Sequence, residues 1–224
     1  MLAEGARGPL PADLLPLAAE RSVPLQKVPR ERLDALADHH QGLVAEAAPY
    51  AYADFVDLLA AGRAAPAERP PLLLAVDALQ DPQNFGNLLR TGLAAGIAGV
   101  VLPERRSVGV TPAVGRASAG AIEHLRIARV VNLPRALREL KQAGLWVVGL
   151  DAAGPEVYDR ADLTVPLVVV VGSEGRGLGR LVAETCDLSL RLPMLGPIDS
   201  LNAAVAGSIV LYEALRQRRA AEHP

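Results

Sequence analysis

A chain of 224 residues, half of them apolar and 21% charged, is long enough for one large domain, or a domain with a smaller companion, and apolar enough for a real core. Aromatics make up only 3%, so that core is aliphatic; a net charge of −2 excludes a bulk polycation, and any nucleic-acid contact has to use a local arginine surface, since Lys27 and Lys141 are the only lysines. The single Cys186 excludes an internal disulfide or a cysteine-rich zinc site, the four histidines have no metal-ligand spacing (His39 and His40 are adjacent), and no apolar run approaches ~18 residues, so composition points to a soluble, cytoplasmic protein with no metal and no membrane partner.

Residues 1–59 read differently from the rest. The pattern predicts a short helix over 12–20, a strand over 25–28, a helix over 30–37 opened by Pro29, and a strand over 42–46. That is too little for an independent α/β domain and reads as the remainder of one whose first strand and helix are missing. Residues 60–71, Ala-Ala-Gly-Arg-Ala-Ala-Pro-Ala-Glu-Arg-Pro-Pro, have linker composition. From Leu72 a strand–helix alternation begins. Strands are expected over 72–76, 99–102, 125–130, 145–150, 167–171 and 188–192. Helices are expected over 84–95, 111–118 (Thr111 as cap, Pro112 in the first turn), 133–143, 178–184 and 200–219, with residues 220–224 left as a tail. Apolar runs without alternation are strands covered on both faces. The fold class is therefore α/β, a mostly parallel sheet with helices on both faces, over 72–219.

In such sheets ligands bind outside the carboxyl ends of the strands. Three segments place loops there. The first is Asp77-Ala-Leu-Gln-Asp-Pro-Gln-Asn-Phe-Gly-Asn-Leu-Leu-Arg90, a strand end, a proline turn and a helix start near Asn84. Gly86 costs such a helix about 1 kcal/mol, which suggests a close approach to its backbone. The second is Val168-Val-Val-Val-Gly-Ser-Glu-Gly-Arg-Gly-Leu-Gly179, a glycine-rich turn without the Walker lysine or the G-x-G-x-x-G spacing; Glu174 suits a cationic or hydroxyl-bearing ligand better than a phosphate. The third is Leu192-Pro-Met-Leu-Gly-Pro-Ile-Asp-Ser-Leu-Asn202, an irregular loop leading into the last helix, where Asp199 or Ser200 is expected as N-cap.

Taken singly each loop is ambiguous. Their order, N-x-G-x-x-x-R, then G-S-E-G-x-G, then L-P-M-x-G-x-x-x-S-L-N, resembles the three motifs of the SpoU/TrmH family of RNA ribose 2′-O-methyltransferases in the SPOUT superfamily. Ser118-Ala-Gly-Ala121 and Asn132 agree with it. His40-Gln-Gly-Leu-Val-Ala45 resembles the end of that family's ribosomal-protein-like RNA-binding domain, here expected as a partial substrate-binding domain over 1–59. The subgroup it is most similar to modifies a guanosine of large-subunit ribosomal RNA.

The resemblance implies a C-terminal trefoil knot, a homodimer with the site near its interface, RNA as partner and S-adenosylmethionine as cofactor. It implies that the cofactor's adenine lies among backbone groups at Leu150, Gly172, Leu192 and Leu201. It also implies a catalytic set of Asn84, Arg90, Glu174, Ser200 and Asn202. In this set Arg90 anchors phosphate and stabilises a forming alkoxide, Asn84 and Asn202 orient ribose and loops, and Ser200 and Glu174 shape the pocket and hold Arg90. Arg105, Arg116 and Arg176, with Arg106 and Arg180, are the candidate RNA contacts. Two positions depart from the family pattern: Asp199 stands where Glu is frequent, and Ala204 where a second serine is frequent. Transfer RNA as target, self-protection against an rRNA-binding antibiotic, a non-catalytic RNA-binding homologue and, from another class, a nucleotide-binding oxidoreductase remain as alternatives; the missing dinucleotide fingerprint argues against the last.

Overall fold

A computed structural model describes residues 1–6, 9–38, 40–64 and 70–222. The chain divides into two compact units, Met1–Pro49 and Tyr50–Pro224. The division falls before the expected 59/60 boundary, and the stretch read as a linker is helical as far as Ala64; residues 65–69 lie outside the described residues. Alanine is the strongest helix former, so an alanine-rich segment becomes helix once a residue such as Leu58 finds a core.

In the first unit β1 (Leu2–Ala3) pairs in parallel with β2 (Lys27–Val28), and α1 (Pro9–Glu20) and α2 (Arg30–Asp34) accompany them. Its core is small: Ala3, Val28 and Leu33, with Met1, Ala6 and Val44 against them. The expected strand over 42–46 reduces to one antiparallel bridge, Leu43 to Leu2. Its partner is only two residues long, and the approach is a tight turn in which Gln41 and Gly42 both have positive φ. His40 fixes that turn, its Nε2 on Asp34 Oδ1 at 2.8 Å and its Nδ1 accepting the Gly42 N–H at 2.9 Å.

The second unit contains α3 (Phe55–Ala64), β3 (Leu72–Val76), α4 (Pro82–Ala94), β4 (Gly99–Pro103), α5 (Pro112–Ala117), a 3-10 turn at Ala121–Glu123, β5 (Ile127–Val130), α6 (Leu133–Gln142), β6 (Trp146–Leu150), β7 (Glu156–Val157), β8 (Leu167–Val171), α7 (Arg180–Ala183), β9 (Leu188–Arg191) and α8 (Ala203–Glu222). The strands form one parallel sheet in the order β5-β4-β3-β8-β6-β9-β7. Alternate side chains feed two cores, as the strand period requires. Leu72, Leu74 and Val76 of β3 and Val169 and Val171 of β8 pack with Leu88 of α4 and Val210, Leu211 and Ala214 of α8. Leu73, Ala75, Val168 and Val170 face the other way, onto Leu58 of α3 and Leu137 and Leu140 of α6. Both faces of the central strands are dry, which is why their sequence is a continuous apolar run.

Helix starts follow from their caps. Asp81 accepts the Gln83 N–H at 3.0 Å with Pro82 next to it, so α4 begins two residues before Asn84. The close approach expected at Gly86 is a neighbouring helix: a Cβ there would lie 2.4 Å from Ala117 Cβ of α5. The Arg218 guanidinium of α8 is half-buried and donates to the carbonyls of Leu163, Val165, Pro70 and Pro71, tying the last helix to the amino ends of β3 and β8.

Candidate active site at the carboxyl edge of the sheet

The parallel order brings the ends of β6, β8 and β9 side by side, and their loops enclose a cavity of about 430 Å³. Leu150, Gly172, Leu192 and Leu201 all line it, with Glu174, Arg176, Asp199, Ser200 and Asn202. Its size is that of a small-molecule site. Gly172 is required by contact: a Cβ would lie 2.3 Å from the Gly177 carbonyl carbon, because residues 173–177 fold back as a hairpin. Ser173 N–H bonds to Gly177 O at 3.0 Å and Gly177 N–H to Ser173 O at 3.1 Å. The far end of the hairpin is held from β3, whose following residue Asp77 accepts the Gly179 N–H at 2.7 Å. Asp77 was not among the candidates; an acidic residue directly ending an apolar strand opposite a glycine-rich loop was the available signal.

The three loops meet in one hydrogen-bonded line. Asn202 Nδ2 donates to Asn84 Oδ1 at 3.0 Å, and Asn84 Nδ2 donates to Glu174 Oε1 at 2.6 Å. Asn202 also caps α8, its Oδ1 accepting the N–H groups of Ala204 (2.9 Å) and Val205 (3.2 Å). The cap is therefore neither Asp199 nor Ser200, and α8 starts at Ala203, after the expected 200. Ser200 Oγ donates to Asp199 Oδ1 at 3.2 Å.

Arg90 is placed elsewhere. It is exposed on α4 and, among the described residues, makes no hydrogen bond or salt bridge; Glu174 and Ser200 engage Asn84 and Asp199 instead of holding it. Six residues separate Arg90 from Asn84, about 9 Å along a helix and about a third of a turn around it. Asn84, Asn87 and Thr91 form a stripe that faces a shallow groove shared with Val205, Ser208 and Tyr212 of α8, and Arg90 stands beside that stripe. Of the candidate RNA contacts, Arg176 lines the cavity. Arg105, Arg106 and Arg116 are exposed after β4 and on α5, and Arg180 pairs with Glu184 at 2.7 Å on the surface. Burial pushes the Cys186 thiol up to about 11, with Asp187 adding to it, so it offers no thiolate at neutral pH.

Comparison with known proteins agrees with this geometry. The profile described as the SpoU rRNA Methylase family matches residues 71–212, and that for RNA 2′-O ribose methyltransferase substrate binding matches residues 1–53. The TrmH family protein YacO of Bacillus subtilis, named for a tRNA/rRNA methyltransferase, is 47% identical over 206 residues, covering 92% of this chain and 82% of its own. A tRNA/rRNA methyltransferase of Mycolicibacterium smegmatis is 50% identical over 205 residues, 91% of this chain and 65% of that one. Among solved structures, an RNA 2′-O ribose methyltransferase superposes with a TM-score of 0.72 at 28% identity, covering 97% of this chain and 80% of the other. The SpoU methyltransferase AviRb of Streptomyces viridochromogenes, solved with AdoMet, superposes with a TM-score of 0.61 at 30% identity over 66% of this chain and 60% of its own. With both its units matched and its three loops joined at one cavity, the chain belongs to the SpoU/TrmH family of RNA methyltransferases.

Proposed function

We propose that the protein transfers a methyl group from S-adenosylmethionine to a ribose 2′-hydroxyl of RNA, with a guanosine of 23S rRNA as the target. The observation that carries this is the line Asn202–Asn84–Glu174, which joins the three motif loops beside the cavity. The cavity suits the cofactor. Leu150, Leu192 and Leu201 supply apolar walls, and no backbone group between Leu192 and Leu201 is hydrogen-bonded among the described residues, leaving donors and acceptors for an adenine edge. Asp151, Glu174 and Asp199 outnumber the single Arg176 in its lining, a charge balance that favours a sulfonium over a phosphate.

When bound, S-adenosylmethionine supplies an activated methyl on a cationic sulfur with a neutral thioether as leaving group. The chain's own task is then placement. Asn84 and Asn202 set the spacing of the loops and orient the ribose. Arg90, exposed and uncommitted, anchors an RNA phosphate and stabilises negative charge growing on the 2′-oxygen. A guanidinium is already protonated and does not give that proton up, so it cannot accept the hydroxyl proton, which passes instead to a phosphate oxygen of the RNA. The same reading makes the protein a cytoplasmic homodimer. The half-exposed Val205 and Tyr212 on α8 support a subunit contact there. It also threads 192–202 as a trefoil knot. The return of α8 from β9 to pack Gly207 against Val171 of β8 and Leu88 of α4 supports that path.

Transfer RNA is the second target, favoured by a solved neighbour described for 2-OH methylation of C/U34 on tRNA, which this chain covers over 97% of that protein's length (TM-score 0.61, 30% identity). The test is a map of 2′-O-methylation across ribosomal and transfer RNA with and without the gene, paired with calorimetry of S-adenosylmethionine binding. Loss of one 23S ribose methyl is expected. A cofactor-binding protein whose removal alters no ribose methyl, and which labels neither RNA class in vitro, would end the proposal.

A further inference from the structure

The loop between β4 and α5, residues 104–110, carries Arg105 and Arg106 outward at the same carboxyl edge as the cavity. Its conformation is unfavourable by itself. Arg106 adopts a left-handed backbone (φ 67), and Ser107 Oγ is buried with no hydrogen-bond partner among the described residues. Something must over-determine this shape.

The restraint comes from two side chains on other segments. Arg129, on edge strand β5, donates from Nη2 to Glu104 O at 2.9 Å, at the loop's first residue. Tyr52 accepts the Val110 N–H on its phenol oxygen at 2.9 Å, at the loop's last residue. The two residues are themselves joined, the Arg129 guanidinium lying 5.0 Å above the Tyr52 ring. Gly109 lets the loop come this close: a Cβ there would sit 3.0 Å from the Tyr52 oxygen. Tyr52 is held in turn. It packs edge-on against Tyr50 at 5.1 Å, Tyr50 donates to the carbonyls of Ile122 and Leu125, and Ala53 N–H bonds to Ile127 O beside β5. The middle of the loop reaches the site, Val108 N–H bonding to Leu79 O of the first motif loop at 2.8 Å.

We propose that Tyr52 and Arg129 form a stacked clamp that presets the 104–110 loop, so that Arg105 and Arg106 meet RNA phosphates in register with the cavity. The inference rests on the RNA-methyltransferase reading above and deepens it. Tyr52 and Arg129 are positioning residues: they act through the arginine loop and need not touch RNA. A preset loop loses less freedom on binding, so the clamp works on RNA affinity and leaves the methyl-transfer step alone.

The experiment uses the full chain, in-vitro-transcribed 23S rRNA as probe, and Tyr52→Phe, Arg129→Gln and a double Arg105→Ala/Arg106→Ala variant. Tyr52→Phe keeps the ring under Arg129 and removes only the acceptor for Val110. It should raise the KM for RNA by about 3–10-fold, with kcat at saturating RNA and S-adenosylmethionine affinity changed by less than about two-fold. Between about 50 and 200 mM salt, its slope of log K against log salt should shrink towards that of the double arginine variant. Arg129→Gln should do the same more strongly, and loss of thermal stability without the change in slope would mean mere structural damage and overturn the clamp. Unchanged RNA affinity in Tyr52→Phe, with weakened binding in the double arginine variant, would overturn the clamp and leave the function intact. If the double variant binds RNA normally, the loop is not an RNA contact and the inference falls; if the unaltered protein methylates no RNA, the reading beneath it falls first.

Discussion

Asn202 does two things at once, and two substitutions separate them. Its Oδ1 caps α8 through Ala204 and Val205, and its Nδ2 reaches Asn84. Asn202→Ala removes both. Loss of such a cap costs about 1 kcal/mol, which lowers Tm by about 2–4 °C in a protein of this size. Asn202→Asp keeps the acceptors and adds a charge that the helix N-terminus favours, so Tm should stay within about 1 °C of the parent. Asp has no N–H for Asn84, however. Asn84 must either lose a partner or turn its amide away from Glu174. Both links are solvent-exposed, so each contributes about 0.5–1 kcal/mol, and losing one of them amounts to about 2–5-fold in kcat/KM. Calorimetric melting and methyl-transfer kinetics on one RNA preparation read both effects. An Asp variant as active as the parent would show that the Asn202–Asn84–Glu174 line is not used in catalysis. One that melts as early as the Ala variant would remove Asn202 as the cap.

Arg90→Ala should lower kcat by about 100–1000-fold and leave S-adenosylmethionine affinity within a few-fold, measured by single-turnover kinetics and calorimetry; near-normal turnover would dismiss the electrostatic role. Gly172→Ala should cut cofactor affinity at least about tenfold with the fold retained by circular dichroism, because the new methyl displaces the 173–177 hairpin backbone. Arg218→Leu should destabilise by about 2–4 kcal/mol in urea melts by stranding the carbonyls of Leu163, Val165, Pro70 and Pro71. Cys186, its thiol held up to about 11, should resist iodoacetamide at pH 8 in the folded protein and react once unfolded; rapid labelling of folded protein would contradict its burial.

The class of the second unit, a mostly parallel sheet covered on both faces, was readable because unbroken apolar runs need cover on both sides; the order β5-β4-β3-β8-β6-β9-β7 was not, because it is set by pairing between strands far apart in the chain. The cavity residues were readable because the second and third motifs follow β8 and β9, on either side of β6, while the first motif follows β3 and reaches them through Asn84. What escaped was local chemistry decided by partners distant in the chain. Asn202 is the cap because the loop before it stays open, which its own sequence, with Asp199 and Ser200 equally good caps, does not say. The Glu174–Asn84 bond spans ninety residues, and nothing local to either segment says that Glu174 meets Asn84 and not Arg90. Helix α3 was hidden in linker-like alanines, and β1 and β7, two residues each, have no period to detect.

Helix α8 begins at the carboxyl edge of the sheet, with Asn202 in the site, and through Arg218 fastens the amino edge. At about 1.5 Å per residue it spans the whole thickness of the unit, so the loops that meet substrate and the bonds that secure the fold lie at opposite ends of one rod. Apart from the Asn202 cap, variation at the carboxyl edge can therefore accumulate with little penalty to folding. A scaffold of this kind can be retargeted to a different nucleotide by exchanging loops alone, while selection for thermal robustness acts on the far side without touching turnover.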